Sequence, residues 1–339
     1  MNLVAFGPPN LVFWFVEPWA GFKRGASPPF GATVMLDPEG REIQIVVVKV
    51  TTNLVDGRPL PEEQQTAIRY ADRFNSGGQL EEASDFALSR SGTSICVDGS
   101  VVSPTAVNSL DARIKVGKLQ VDLRVFGERR WSRVDGAWRP TEPHPFTHVP
   151  FTMEEAFGGA GCAENPVGKG FVASGSDPEG APLERLTLVT AHIDAPFVIR
   201  EIACAARIPP HWEPRRSFGG THDDAWRRTR APLPPRDRES NHGDSVPQAF
   251  VHRPFLGGGE PIELIGFSLS PLVARVPRFR LQLLGVGVSV PFVLEQLELA
   301  PERQRATLTF AARVNVSEKL DRLQQLRIVV KRILTEERA

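Results

Sequence analysis

The chain has 339 residues, 41% of them apolar and 24% charged, a balance that argues against a largely disordered protein. Forty basic residues against forty acidic ones leave no net field to draw it to nucleic acid or to an anionic membrane. The three cysteines, Cys96, Cys162 and Cys204, are odd in number, far apart and without C-x-x-C spacing, which argues against a disulfide framework or structural zinc and suits a reducing compartment.

The N-terminal run MNLVAFGPPNLVFWFVEPW lacks a basic leader and is broken by Pro8, Pro9 and Glu17. It reads as neither a signal peptide nor a membrane span, so a cytoplasmic location is expected. Over residues 33–52 two β-rich runs flank Asp37-Pro38-Glu39-Gly40 and predict a hairpin. Residues 62–74 predict one or two helical turns before Gly77-Gly78. Residues 87–102 predict a strand, a turn near Asp98-Gly99 and a further strand. Residues 108–126 alternate apolar and polar at period two, as half-buried antiparallel strands do. An Asp135-Gly136 turn then lies between Trp131 and Trp138.

The stretch 145–170, PFTHVPFTMEEAFGGAGCAENPVGKG, mixes Pro and Gly with Phe146, Phe151 and Phe157. Pro and Gly forbid long regular elements, while a solvated linker has no use for large aromatics, so this reads as a long ordered loop pinned onto a core. A second stretch of the same character, 208–235, is anchored by Trp212, Phe218 and Trp226, and the two are expected to pack together. Residues 183–189 and 195–202 between them are ambiguous. Strands are predicted at 246–250 and 260–267, alternation resumes over 278–290, and 294–299 with 305–314 make a hairpin around Ala300-Pro301-Glu302. Ser317 is placed to cap a short helix reaching 326, before a last β run at 328–333. The expected fold is mainly β: antiparallel, sandwich-like sheets with long ordered Gly/Pro-rich loops and few short helices. One integrated domain is expected over 1–339, with an N-terminal β half (20–140), a loop-rich central region (141–245) and a C-terminal β half (246–334).

Templates for chemistry fit poorly. Gly161 to Gly170 superficially resembles a phosphate loop, but its spacing is wrong and Gly170 stands where a Ser or Thr is needed. Gly285-Val286-Gly287 lacks the third glycine of a dinucleotide fingerprint. His144 and His148 are four apart, yet Pro143, Pro145 and Pro150 exclude the helix that would bring them together. Gly266-Phe267-Ser268-Leu269-Ser270 lacks the second glycine of a nucleophile elbow. Cys162 would be reactive if exposed near Lys169, against its ordinary reading as a small packing residue. His192-Ile193-Asp194 and His222-Asp223-Asp224 would supply metal ligands if they met, so a metal-dependent hydrolase using His192, His222 and Asp223 is the alternative function. The expectation is a protein without catalytic residues, cofactor or metal. Trp131, Trp138, Trp212 and Trp226 read first as anchors clustered around the two loops, and second as partner-binding hot spots.

Several ordered motifs carry a family resemblance: VVVKVTTNLVDGRPLPEEQ (46–64), SDFALSRSGTSICVDGSVVSP (84–104), VDLRVFGERRW (121–131), PFTHVPFTMEEAFGG (145–159), NPVGKG (165–170) and GGTHDDAWRRTRAPLPPRD (219–237). With them the chain resembles domain-of-unknown-function family 2169, more weakly towards Val314. Ser94 stands where many members have Asp, and His222 replaces the usual Tyr. The resemblance implies a cytoplasmic adaptor of type VI secretion clusters. Such an adaptor holds a toxin effector, often with a PAAR domain, and helps mount it on the valine-glycine-repeat (VgrG) spike; nucleic acid and membrane are not expected partners. On this reading Phe157, Trp212, Phe218 and Trp226 support a loop platform. Glu154, Asn165, Lys169, Arg227 and Arg230 meet the partner or brace the loops, with His222 and Asp223 beside them. A structural piece exported with the spike is a further alternative.

Overall fold

The computed structural model describes residues 12–15, 28–76, 80–191, 193, 195–218, 223–231, 244–285, 288–315 and 327–332. They are mainly β, in several sheets. A six-stranded sheet runs Val251–His252, Thr93–Val97, Val293–Ala300, Arg305–Asn315, Glu42–Asn53, Phe30–Leu36. Its pairings are antiparallel except that Thr93–Val97 lies parallel to Val293–Ala300. A five-stranded antiparallel sheet runs Leu186–Leu188, Leu119–Phe126, Ser109–Val116, Pro261–Ile265, Leu272–Arg275. A smaller sheet of four strands contains Val12–Phe15, Arg327–Arg332, Phe279–Gly285 and Val288–Pro291.

The two large sheets share one core, and their sequences differ because their exposure differs. In the five-stranded sheet Ala112, Ile114 and Val116 face inward with Val121, Leu123 and Val125. The intervening residues form a charged outer ladder, in which Arg113 bonds Asp122 at 2.5 Å and Arg124 forks onto Asp111 at 2.8 and 3.1 Å. Alternation is what a half-buried sheet requires. Strand Glu42–Asn53 has no such pattern because it is buried on both faces from Gln44 to Thr52. Val46, Val48 and Val50 join the shared core, whereas Ile45 and Val47 point the other way and are covered by Ile68, Phe86 and Leu88.

The predicted hairpins form. Asp37 accepts from the backbone of Glu39 and Arg41 in the first, and Asp135 and Gly136, at φ 51° and 79°, take the left-handed conformations of a tight two-residue turn in the third. Residues 62–74 hold one helical turn, the 3-10 turn Glu62–Gln64, within the expected one or two; the Gln65 side chain then bonds Thr51 and Leu60 and draws the chain along the sheet. Three expectations are corrected. Residues 246–250 are not a strand: Pro247 leads into the 3-10 turn Gln248–Phe250, and only Val251–His252 pairs. Residues 145–170 are less irregular than expected, since Phe146–Pro150 pairs with Ser100–Val107 and Phe157–Gly158 pairs in parallel with Lys169–Gly170. The four tryptophans do not cluster: Trp131 and Trp138 pack with Val172 and Leu183, whereas Trp212 belongs to the main core. Hairpin Trp131–Val134/Ala137–Pro140 is a separate two-stranded unit, so its apolar face meets residues 172–183 instead. The helix expected from Ser317 lies outside the described residues.

Candidate functional site

Within the first central segment the organiser is Asn165, which is 0% exposed. Its Nδ2 donates to Met153 O (2.8 Å) and Phe157 O (3.0 Å), while its backbone carbonyl accepts from Gly159 and Gly168. The loop is thus closed on one side chain that satisfies otherwise buried carbonyls. Close approach dictates the glycines: a Cβ on Gly158 would lie 2.1 Å from the Asn165 carbonyl oxygen. Phe157 is buried under the Arg200 guanidinium, whose carbon stands 4.6 Å from the ring centroid, and Lys169 pairs with Glu155 at 2.8 Å. Cys162 is buried, and burial pushes its thiol pKa up, so the expected route to reactivity through exposure is not met.

The second segment docks on the first. Glu213 N donates to Ala163 O at 3.0 Å, Trp212 is 7% exposed in the main core, and Arg215 Nη1 donates to Ile208 O at 2.6 Å. Burial lowers the Arg215 pKa to about 10. Further along, Asp223 caps helix Asp224–Thr229 through Trp226 N, and Arg227 pairs with Asp224 at 2.6 Å on the surface. Trp226 and Arg230 are half-buried. Phe218 ends helix Arg215–Phe218, and His222, like His192 and Asp194, lies outside the described residues. The sequence-predicted set therefore splits. Glu154, Phe157, Asn165, Lys169 and Trp212 lie in or against the joined segments, while Asp223, Trp226, Arg227 and Arg230 belong to a separate short helix and its end.

Where the segments meet there is a cleft of about 420 Å³. Phe151, Met153, Glu154 and Val167 line it from the first segment, Pro209 and Trp212 from the second. Its back wall is a charged layer that sequence reading missed. On the second face of the six-stranded sheet, register sets Thr51, Thr307, Glu298 and Cys96 side by side. Glu298 accepts from Arg69 Nη1 at 3.2 Å and also pairs with Arg207. Burial disfavours the Glu298 carboxylate, yet Arg207, Arg69 and Lys49 outweigh it and hold the pKa below the ordinary 4.5. Burial likewise opposes the Arg207 charge, and Glu298 reverses the balance, keeping that guanidinium above its ordinary value. The signal available in sequence was a Lys in VVVKVTT and carboxylates in LEQLELA, polar residues interrupting apolar strands.

A pH dependence follows. Because the folded pKa of Glu298 is depressed, its contribution is complete above pH 4.5 and is lost as pH falls through the folded value. Urea midpoints measured from pH 7 to pH 3 are expected to fall less steeply for Glu298→Gln than for wild type, from a lower starting point; parallel curves would contradict the assignment.

The family described as uncharacterized protein conserved in bacteria, DUF2169, matches residues 39–311. The chain belongs to the DUF2169 family. All the cleft-lining residues fall inside the matched span. No curated protein and no solved structure matches the chain. In this DUF2169 protein no helix among the described residues is long and apolar enough to cross a membrane, and no group of three or more His, Cys, Asp or Glu among them is placed to hold a metal ion.

Proposed function

We propose that this DUF2169 protein is a cytoplasmic, non-enzymatic adaptor of type VI secretion that binds a toxin effector, often one carrying a PAAR domain, and helps load it onto the VgrG spike. The cleft between the two central segments is its docking site. The observation that supports this reading is that Asn165 closes the first segment, Trp212 anchors the start of the second in the core, and the Glu213–Ala163 hydrogen bond joins them. A surface ordered before binding loses little entropy when a partner docks. The apolar floor of Phe151, Met153, Val167 and Trp212 beside the Glu154 carboxylate combines hydrophobic area with orienting charge.

The test is capture of the effector from native cells. Tagged wild-type protein is expected to retain effector and spike, and Glu154→Lys to retain at least about tenfold less, a loss of about 1.4 kcal/mol, with both proteins fully folded in the absence of urea. Normal export of the toxin after deletion of this protein would refute the adaptor role. Appearance of the protein itself in the medium would point instead to a piece exported with the spike.

A further inference from the structure

Away from the cleft, a second pocket of about 190 Å³ opens beside the end of the five-stranded sheet, lined by Arg124, Phe126, Arg129, Pro140, Thr187 and Val189 among others. Arg129 is its unusual member. It is 6% exposed, its guanidinium carbon lies 3.6 Å from the Phe126 ring centroid, and Nη2 donates to Glu184 O at 3.2 Å. The Nε–H is buried and has no hydrogen-bond partner among the described residues. An arginine is normally buried with a carboxylate, but the carboxylate here is already taken. Arg200 forks onto Glu184 with Nε–Oε1 at 2.6 Å and Nη2–Oε2 at 3.1 Å. Arg124, the other cation of the pocket, is likewise forked onto Asp111. Arg200 thus holds the carboxylate, while Arg129 reaches only the Glu184 backbone carbonyl and has no ion pair among the described residues, leaving one positive charge uncompensated at the pocket wall. Burial, incompletely offset by Glu184 and aggravated by Arg200, lowers the Arg129 pKa to about 10.

We propose that this pocket is an anion site in which Arg129 receives a single carboxylate group. The class follows from charge and size. A monoanion cancels the excess, whereas a phosphate dianion would leave a net negative charge beside apolar walls. A guanidinium whose face is covered by a phenyl ring offers its edge, the geometry that a carboxylate accepts in two parallel hydrogen bonds. The carboxylate comes either from a free small acid or from an acidic side chain of a bound protein. The site shares no lining residue with the cleft and does not depend on the adaptor reading.

The experiment is an NMR titration of the full chain, following arginine Nε–H resonances while sodium acetate replaces sodium chloride at constant ionic strength. At about pH 8.5, where inorganic phosphate is mainly the dianion, the Arg129 resonance is expected to shift saturably with acetate and at least about tenfold more weakly with inorganic phosphate. Loss of that curve in Arg129→Gln would confirm the assignment. Should Arg129→Gln fail to fold, Arg124→Gln, on the exposed rim, is expected to weaken acetate by about threefold, in line with the worth of an exposed charge. A glutamate-containing peptide that binds at least about tenfold more tightly than acetate identifies a protein source, and equal affinity a free acid. A linear shift, or the same shift with chloride alone, would overturn the proposal.

Discussion

Asp85→Asn is expected to destabilise the protein by about 3–5 kcal/mol, the cost of leaving a buried ion without its counter-ion. Lys49 Nζ and Asp85 Oδ2 are 2.8 Å apart with both side chains 0% exposed. Oδ2 also accepts from Arg69 N at 2.7 Å, and Lys49 also donates to Ala67 O at 3.2 Å. Together these contacts clasp residues 67–69 and Asp85 onto the second face of the six-stranded sheet. Burial lowers the Lys49 pKa, and the attractions of Asp85 and Glu298 compensate only in part. Between that lowered value and the ordinary 10.5 the unfolded chain binds more protons than the folded one, so stability rises with pH through the window. Removing the Asp85 charge extends the window downward. The urea midpoint of Asp85→Asn should therefore recover between pH 7 and pH 9, and Lys49→Met combined with Asp85→Leu should regain most of the loss. A single substitution within about 0.5 kcal/mol of wild type, the range of ordinary surface changes, would mean the pair holds nothing in place.

Asn165→Ala should cost about 2–4 kcal/mol, since the carbonyls of Met153 and Phe157 lose their side-chain donor in a buried setting. The effect should be local. Amides of Gly159 and Gly168, which donate to the Asn165 carbonyl, are expected to exchange faster by a larger factor than those of strand Arg305–Asn315. Effector capture should fall with them. Gly158→Ala reaches the same end by a steric route, because the new methyl collides with a backbone oxygen that cannot rotate away. Full effector capture by both variants, despite faster exchange, would separate loop order from partner binding and remove the main support for the cleft as the docking site.

The β character, the hairpins at 33–52, 108–126, 131–140 and 294–314, and the ordering of the first Gly/Pro-rich segment were legible because each rests on neighbours in the chain. Turn residues sit between runs of matching period, and aromatics are spaced through segments that solvent alone would not hold. The joining of the two segments was also expected from their shared composition, and Glu213 N to Ala163 O is the bond that makes it. The split of the tryptophans was not legible. Trp131 and Trp212 look alike in sequence, and which apolar surface receives each is set by strands far away along the chain.

By itself the sequence determined the β character, most of the hairpins and the family, through patterns local to the chain. Only the tertiary structure decided which charges are buried and with whom. Lys49 meets Asp85, Glu298 is shared by Arg69 and Arg207, and Arg200 takes the Glu184 carboxylate while Arg129 reaches only the Glu184 backbone carbonyl. The reason is that a charge in a strand is tolerable on either face until the layer above it is known. The cost of burial and its compensation are both properties of residues brought together by the fold, not by the chain.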